Sequence, residues 1–335
     1  VVIIDECHAY DAYMGQYLNR ALNYLGAYHV PVIVLSATLP AGKRQAVIDA
    51  YLNKNSTPNS STSQSDPLGR GACSPVQPPE WLQSRAYPLL TYTDGGSVKQ
   101  EEIPAGGVSG EVRLEYLTEE ALADKLDELL SGGGCAGVVV NTVKRAQKLA
   151  KTLCERFGEE TIRLLHSRFL APDRAEKEGV ILKELGKPEK SKRPKKRIVV
   201  GTQVLEQSLD IDFDVLVTDI CPMDLLLQRI GRLHQRNRPG KLGSALCLLL
   251  GSDGDSFESA TKVIYGEYLL MRTKALLPQK LILPQDIPQM VQDTYDEDND
   301  PSPEPAEYRQ AKKTEKEKIA DKEKRARDFR ISPLW

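Results

Sequence analysis

The stretch Val1-Val2-Ile3-Ile4-Asp5-Glu6-Cys7-His8-Ala9-Tyr10-Asp11 decides the fold. An unbroken aliphatic run predicts a strand buried on both faces of a parallel sheet, and ligands of such sheets sit just beyond the carboxyl ends of the strands. Asp5 and Glu6 stand at that edge. Two adjacent acids there suit phosphate hydrolysis, the first holding Mg²⁺ and the second orienting or deprotonating the attacking water. His8 is then placed to report the nucleotide state to a neighbouring domain. Taken alone, Asp-Glu-Cys-His fits a strand-to-loop turn without chemistry equally well, so residues downstream must decide.

At 335 residues there is room for two or three domains, and 40% hydrophobic with 27% charged residues is an ordinary globular composition. A net charge of -2 excludes a uniformly basic coat, so any nucleic-acid contact has to come from local patches. Cys7, Cys73, Cys135, Cys154, Cys221 and Cys247 form no Cys-x-x-Cys pair and several lie in apolar runs, which reads as reduced thiols of a cytoplasmic protein. No apolar run approaches the roughly 20 residues of a membrane span, and no basic-then-apolar leader opens the chain. The opening, mid-strand and without Met, reads as the interior of a longer protein.

Outward from the first strand, residues 11–27 carry apolar side chains at helical spacing, with Tyr13 and Tyr17 read as packing residues. Residues 30–35 predict a second buried strand that runs into Ser36-Ala37-Thr38-Leu39-Pro40, and residues 42–52 a short helix. From Asn53 to Pro79 the chain is rich in Ser, Thr, Asn, Pro and Gly, the composition of a linker or surface insertion. Residues 81–110 regain strand character but are interrupted by Gly and Pro, and read as loose connection. Residues 111–250 then alternate strand and helix, which predicts a doubly wound parallel sheet, with the last helix spanning 225–235. Lys187 to Arg197 holds seven basic residues and one acid, a solvated loop or a contact to a nucleic-acid backbone. Beyond 250, residues 257–290 look helical, 293–307 acidic and flexible, and 308–330 an exposed charged helix with ten basic and five acidic residues. The domains expected are 1–52, a linker over 53–110, a second sheet domain over 111–250, and a linker with the start of another domain over 251–335.

The second sheet carries its own chemistry. Gly201-Thr202-Gln203-Val204-Leu205-Glu206-Gln207-Ser208-Leu209-Asp210 follows a strand directly, which places Thr202 to bond a nucleic-acid phosphate and Asp210 a ribose. Gln228-Arg229-Ile230-Gly231-Arg232-Leu233-His234-Gln235-Arg236 puts three arginines on or near one helix. A planar guanidinium fork can stabilise the charge of a transferring phosphoryl group, although an arginine cluster is more often a salt-bridged surface. Four ordered segments, Asp5 to His8, Ser36 to Thr38, Thr202 to Asp210 and Gln228 to Arg232, each fall at a strand end or open a helix.

In order and wording these segments resemble the superfamily 2 DExH helicases, and within them the helicase-nuclease of type I CRISPR-Cas interference. The resemblance runs through nearly the whole chain, including Leu-His-Ser-Arg-Phe over 165–169 and the charged helix near the end. It implies an α/β architecture of two RecA-like parallel-sheet domains, the first truncated, followed by the start of a C-terminal accessory domain. It further implies ATP-driven 3′-to-5′ travel along single-stranded DNA, with ATP and Mg²⁺ as cofactors and recruitment by an RNA-guided surveillance complex. On these positions Asp5 is similar to the Mg²⁺-holding acid, Glu6 to the catalytic acid, and Ser36 and Thr38 to the coupling hydroxyls. Arg232 and Arg236 are similar to the finger arginines, and Asp210, Gln228, Arg229 and Gly231 to nucleotide-binding residues. Asn141, Thr142, His166, Arg168 and Thr202 are similar to the residues that track the nucleic-acid backbone.

Three departures qualify what the resemblance implies. No Gly-x-x-x-x-Gly-Lys-Ser/Thr occurs: Gly42-Lys43, Gly186-Lys187 and Gly240-Lys241 lack the spacing and the hydroxyl, so this chain alone is expected to hydrolyse little or no ATP. None of the four histidines precedes Asp, so no DNA cleavage is expected from it either. Where the second finger is expected stands Gln235, with Arg236 one step on, about 100° around a helix. The competing readings are a general DExH repair or RNA helicase, and a nucleic-acid-binding module without ATPase activity.

Overall fold

The computed structural model describes residues 1–54, 79–104, 110–187, 192–207, 209–233, 245–251, 256–296, 298–300 and 306–332, and the structural statements concern these. Most of the linker or insertion expected over 53–79, as well as Gln235 and Arg236, lies outside them. Two compact units result, residues 1–106 with 313–335, and residues 107–312.

In the first unit β1 (Val2–Ile4) and β2 (Val32–Val34) pair in parallel, Val2 opposite Val32 and Ile4 opposite Val34. Helix α1 (Ala12–Ala27) connects them, capped by the Asp11 carboxylate, which accepts the Met14 N–H at 2.9 Å. Helix α2 (Ala41–Tyr51) packs on α1 where Gly26 lacks a side chain, since a Cβ there would fall 1.8 Å from the Tyr51 carbonyl oxygen. The expectation of strands buried on both faces is corrected: Ile3 is 64% and Ile33 46% exposed. Among the described residues β1 and β2 pair only with each other, which leaves an apolar surface uncovered.

Residues 81–110 are also more ordered than expected. Strands β3 (Leu89–Asp94) and β4 (Ser97–Glu102) form a hairpin whose tip, Gly95 and Gly96, has φ of +56° and +84°. The glycines that read as interruptions are the turn itself, because a two-residue loop of the type I′ form, one of those that match the strand twist, needs positive φ at both central positions.

In the second unit strands β5 (Gly110–Leu117), β6 (Gly134–Val139), β7 (Ile162–Leu165), β8 (Lys196–Gly201), β9 (Val215–Asp219), β10 (Ala245–Leu250) and β11 (Lys280–Leu283) make one sheet. Its order is β11-β5-β10-β9-β6-β8-β7, all parallel except β11. Between the strands run α3 (Leu122–Leu129), α4 (Val143–Phe157), α5 (Ala171–Leu185), α6 (Val204–Gln207) and α7 (Met223–Ile230), followed by α8 (Ser259–Tyr265), α9 (Glu267–Leu276) and α10 (Ile287–Tyr295). The apolar residues of the central strands supply both cores by alternation. Val199 and Cys247 join the cluster that includes α5 and α7, while Ile198, Val200, Leu246 and Leu248 join the one that includes α3 and α4. Each such leucine contributes roughly 1.5–3 kcal/mol on burial, so the two faces fix the register. Gly137 is needed because a Cβ there would meet the Phe213 ring at 2.5 Å.

Two details depart from expectation. Helix α7 ends at Ile230 rather than near 235, so Arg232 lies in the turn beyond it. The acidic stretch after 293, expected to be flexible, is in its described part drawn around one buried cation. The Arg272 guanidinium, on α9, donates to the carbonyls of Asp293, Thr294, Asp296 and Asn299 and to Asp300 Oδ1 at 2.9 Å. Asp300 also takes the Tyr308 hydroxyl and Lys312 at the start of α11 (Ala306–Phe329). The later turns of α11 lie in the first unit, where Lys322 pairs with Asp11 at 3.0 Å. No helix among the described residues is long and apolar enough to cross a membrane.

Candidate functional site

Parallel pairing of β1 and β2 brings the first two segments together. Cys7 N–H donates to the Leu35 carbonyl at 3.3 Å, so the turn after β1 lies beside the turn after β2. His8 is buried, and its Nδ1 lies 3.2 Å from Ser36 Oγ. The Ser36 hydroxyl gives its one proton to the Thr38 carbonyl at 2.9 Å, so the imidazole supplies the hydrogen of the His8–Ser36 contact. His8 Nε2 faces Glu6 Oε2 at 3.1 Å without hydrogen-bond alignment. The Thr38 hydroxyl is buried without a partner among the described residues.

Asp5 and Glu6 stay at the surface. Asp5 Oδ1 accepts the Glu6 N–H at 2.9 Å, and the Glu6 side chain is 48% exposed. Glu6 has φ 53° and ψ 38°, the left-handed region that costs a side-chain-bearing residue on the order of 1 kcal/mol and that clusters at functional sites. An exposed carboxylate with an oxygen to spare suits a hard divalent cation, which takes one or two carboxylates along with phosphate oxygens.

In the second unit Asn141, Thr202 and Asp219 all stand at the carboxyl ends of β6, β8 and β9, where the connection from β6 runs toward β7 and that from the neighbouring β9 runs the other way, toward β10. The arginines are held differently from what their spacing suggests. Arg229 is fully buried and its guanidinium donates to Glu206 Oε1 at 2.7 Å, Thr218 Oγ1 at 2.8 Å, Asn141 Oδ1 at 3.1 Å and the Tyr265 hydroxyl at 3.3 Å. The side chain expected to touch nucleotide is therefore spent inside the protein. Arg232 lies nearer the surface, its Nη2 donating to the Glu206 carbonyl at 2.5 Å and its own carbonyl accepting the Phe213 N–H at 2.9 Å. Gln228 is half-buried, its amide nitrogen without a partner among the described residues, and Gly231 follows α7.

The expected backbone-tracking residues divide in the same way. Asn141 is buried, its amide nitrogen donating to the Ile220 carbonyl at 2.8 Å, and Thr202 is buried too. Thr142 caps α4, accepting the Arg145 N–H at 3.2 Å. Arg168 and Asp210 are exposed, with Lys187 3.9 Å from Asp210. His166 is buried and stacked on Phe169 at 4.1 Å, its Nδ1 accepting the Arg168 N–H. Desolvation, reinforced by the nearby Arg168 and Lys177 charges, holds its imidazole below its ordinary pKa. In the basic run, Arg193 pairs with Asp214 at 2.7 Å, Lys196 with Asp127 at 3.1 Å and Arg197 with Glu184 at 2.6 Å. These three of the seven cations in that run are thus engaged with acids of the same unit. Sequence reasoning missed Glu206 and Tyr265, which hold Arg229; an isolated acid two residues before Ser208 was the only written signal for the first.

A pair of acids at a parallel-strand edge beside a Ser-Ala-Thr turn, followed by a parallel sheet with an Arg-x-x-Arg turn, is the pattern by which the sequence resembles the superfamily 2 helicases. Comparison with known proteins narrows this. The family model "CRISPR-associated nuclease/helicase Cas3, C-terminal" matches residues 132–238. The CRISPR-associated nuclease/helicase Cas3 of Streptococcus thermophilus is 44% identical over 340 residues, 99% of this chain and 35% of the relative. The structure of T. fusca Cas3 with AMPPNP superposes with a TM-score of 0.83 at 28% identity, covering 99% of this chain and 38% of that one. A chain in a pre-nicking CRISPR RNA-guided surveillance complex gives 0.79 at 29% identity, covering 99% and 41%. The chain belongs to the Cas3 family, with the RecA-like α/β fold of its helicase part. It spans about a third of the length of the curated relatives it matches.

Proposed function

We propose that this chain carries the carboxylate turn and the arginine turn of an ATP-driven, 3′-to-5′ single-stranded DNA translocase that unwinds target DNA in type I CRISPR interference in the cytoplasm. The observation that carries this reading is the β1–β2 pairing, which sets Asp5, Glu6 and His8 against Ser36 and Thr38 at one strand edge. Asp5 would hold the Mg²⁺ of a bound nucleotide, and that ion would neutralise phosphate charge. Glu6, exposed and close to His8, is the group available to orient water, while Ser36 links His8 to the Thr38 main chain so that a change at the acids is felt in the second turn. Arg232 supplies the guanidinium toward phosphate, and Arg229 supports it from inside. Exposed Arg168 and the amides opening α4 behind Thr142 would meet the DNA backbone, whereas buried Asn141 and Thr202 shape that edge from beneath. We further place the first domain limit at 52 and the start of the second domain at 111, with the second domain carried past 250, where it was expected to end, to the strand β11 that completes its sheet. The partner is the RNA-guided complex with its displaced DNA strand, by likeness to the relative seen in such an assembly.

The test is ATP turnover by the whole protein with and without a dT oligonucleotide. Glu6→Gln is expected to lower DNA-stimulated turnover by about 10²-fold or more. Unchanged turnover in that variant, or turnover indifferent to DNA, ends the reading. The isolated 335-residue chain, which has no Gly-x-x-x-x-Gly-Lys-Ser/Thr sequence, should turn over no ATP above its Glu6→Gln control. Arg168→Ala should weaken oligonucleotide binding uniformly across sequences and flatten the salt dependence by about one counterion.

A further inference from the structure

Helix α8 lies outside the sequence segments given a role in hydrolysis or DNA binding, yet it closes the polar network around Arg229. Thr261 and Tyr265 stand one turn apart on it and so share a face. Thr261 Oγ1 lies 3.4 Å from the Asn141 amide nitrogen. The Tyr265 hydroxyl accepts from Gln203 Nε2 at 2.7 Å and from Arg229 Nη2 at 3.3 Å. Gln203 also donates to the Asn141 carbonyl at 3.3 Å. The opposite face of α8 is open to solvent, with Val263 82% exposed. One hydroxyl is thus bonded both to the guanidinium buried under the Arg229 turn and to the segment that carries Glu206.

That segment decides where Arg232 points. Glu206 binds Arg229 through its side chain and Arg232 through its main-chain carbonyl. A shift of residues 203–206 therefore carries the Arg232 anchor with it, while the Arg232 main chain stays pinned by Phe213. Buried networks of this kind behave as units, because an unmade hydrogen bond inside costs its full desolvation.

We propose that Tyr265 is a positioning residue for Arg232, acting through Gln203, Arg229 and Glu206. The proposal rests on the reading that Arg232 serves nucleotide hydrolysis. Tyr265→Phe removes the hydroxyl that accepts from both Gln203 and Arg229 and leaves the ring in place. In the whole protein it should lower the kcat of DNA-stimulated ATP turnover by about ten-fold, the size expected for one misplaced transition-state contact, with the KM for ATP nearly unchanged. On an Arg232→Ala background the same change should cost little more, because both act at one point. Val263→Ala, on the exposed face, is the control and should leave turnover unaltered.

A second measurement does not depend on hydrolysis. Amide hydrogen exchange at 203–207 and 229–233 should be faster in Tyr265→Phe by about ten-fold, with β6 and β8 unaffected. Faster exchange with lowered kcat and a non-additive double variant supports the proposal. Unchanged kcat, a loss that adds fully to that of Arg232→Ala, or unchanged exchange overturns it. If the unsubstituted protein shows no DNA-stimulated turnover, the hydrolysis reading fails on its own, and exchange then decides whether Tyr265 holds the segment.

Discussion

The two units keep their charged residues in opposite ways. In the first, Asp5 and Glu6 sit at the surface and Glu6 is held in a backbone conformation its side chain disfavours. In the second, Arg229 is buried completely among a carboxylate, two hydroxyls and an amide. Strain with exposure is what a reacting group needs, since it must meet a ligand. Burial with full hydrogen bonding is what a support needs, since an unpaired internal charge is costly. The lesson is that neighbours in one motif, Arg229 and Arg232, can have different duties although both are arginines.

The sharpest way to break that contrast is to remove the support. Arg229→Met leaves Glu206 charged and buried without its partner, and should destabilise the chain by about 3–5 kcal/mol in urea unfolding. A loss under about 1 kcal/mol would mean that the network is not structural. The first unit should respond with the opposite sign. Glu6→Gly places the residue that best tolerates positive φ where strain is stored, and should raise stability by about 1 kcal/mol while removing DNA-stimulated turnover in the whole protein. If Glu6→Gly destabilises instead, the exposed acid is part of the scaffold and the contrast fails.

How much of this was legible in the sequence follows the same division. The runs at 198–201 and 245–250 are apolar on both sides of the pleat, so their strands and the parallel sheet could be read directly. Thr142 before Val143 announced the start of α4. The edge strand β11 was not legible, because four residues with no flanking helix period could join the sheet only through a register with β5 that no local pattern specifies. The hairpin at 89–102 was misread because glycine marks both interruption and turn, and only pairing distinguishes them. In the site, the spacing of Arg229 and Arg232 was visible but their burial was not. Whether α7 continues past Ile230 decides which arginine faces inward, and a tertiary acceptor, Glu206, settles that.

His166 sits between the two patterns and gives the smallest effect. It is buried like Arg229, yet it stands at a strand edge beside exposed Arg168, as Glu6 stands at its own edge. Its Nδ1 accepts the Arg168 N–H at 3.3 Å, so the neutral ring is the form that fits, and protonation at Nδ1 breaks that bond. Burial, with the Arg168 and Lys177 charges, lowers the folded pKa below the ordinary value of about 6.5. Between those two values the unfolded chain takes up the proton more readily than the folded one. The stabilisation is therefore complete above about pH 6.5 and is lost as pH falls toward the folded value. The melting temperature should accordingly drop more between pH 7.5 and 5.5 in this chain than in His166→Gln, by an amount corresponding to less than about 1 kcal/mol. Equal drops in the two proteins would show that His166 is free to titrate and belongs with the open, reactive groups rather than with the supports.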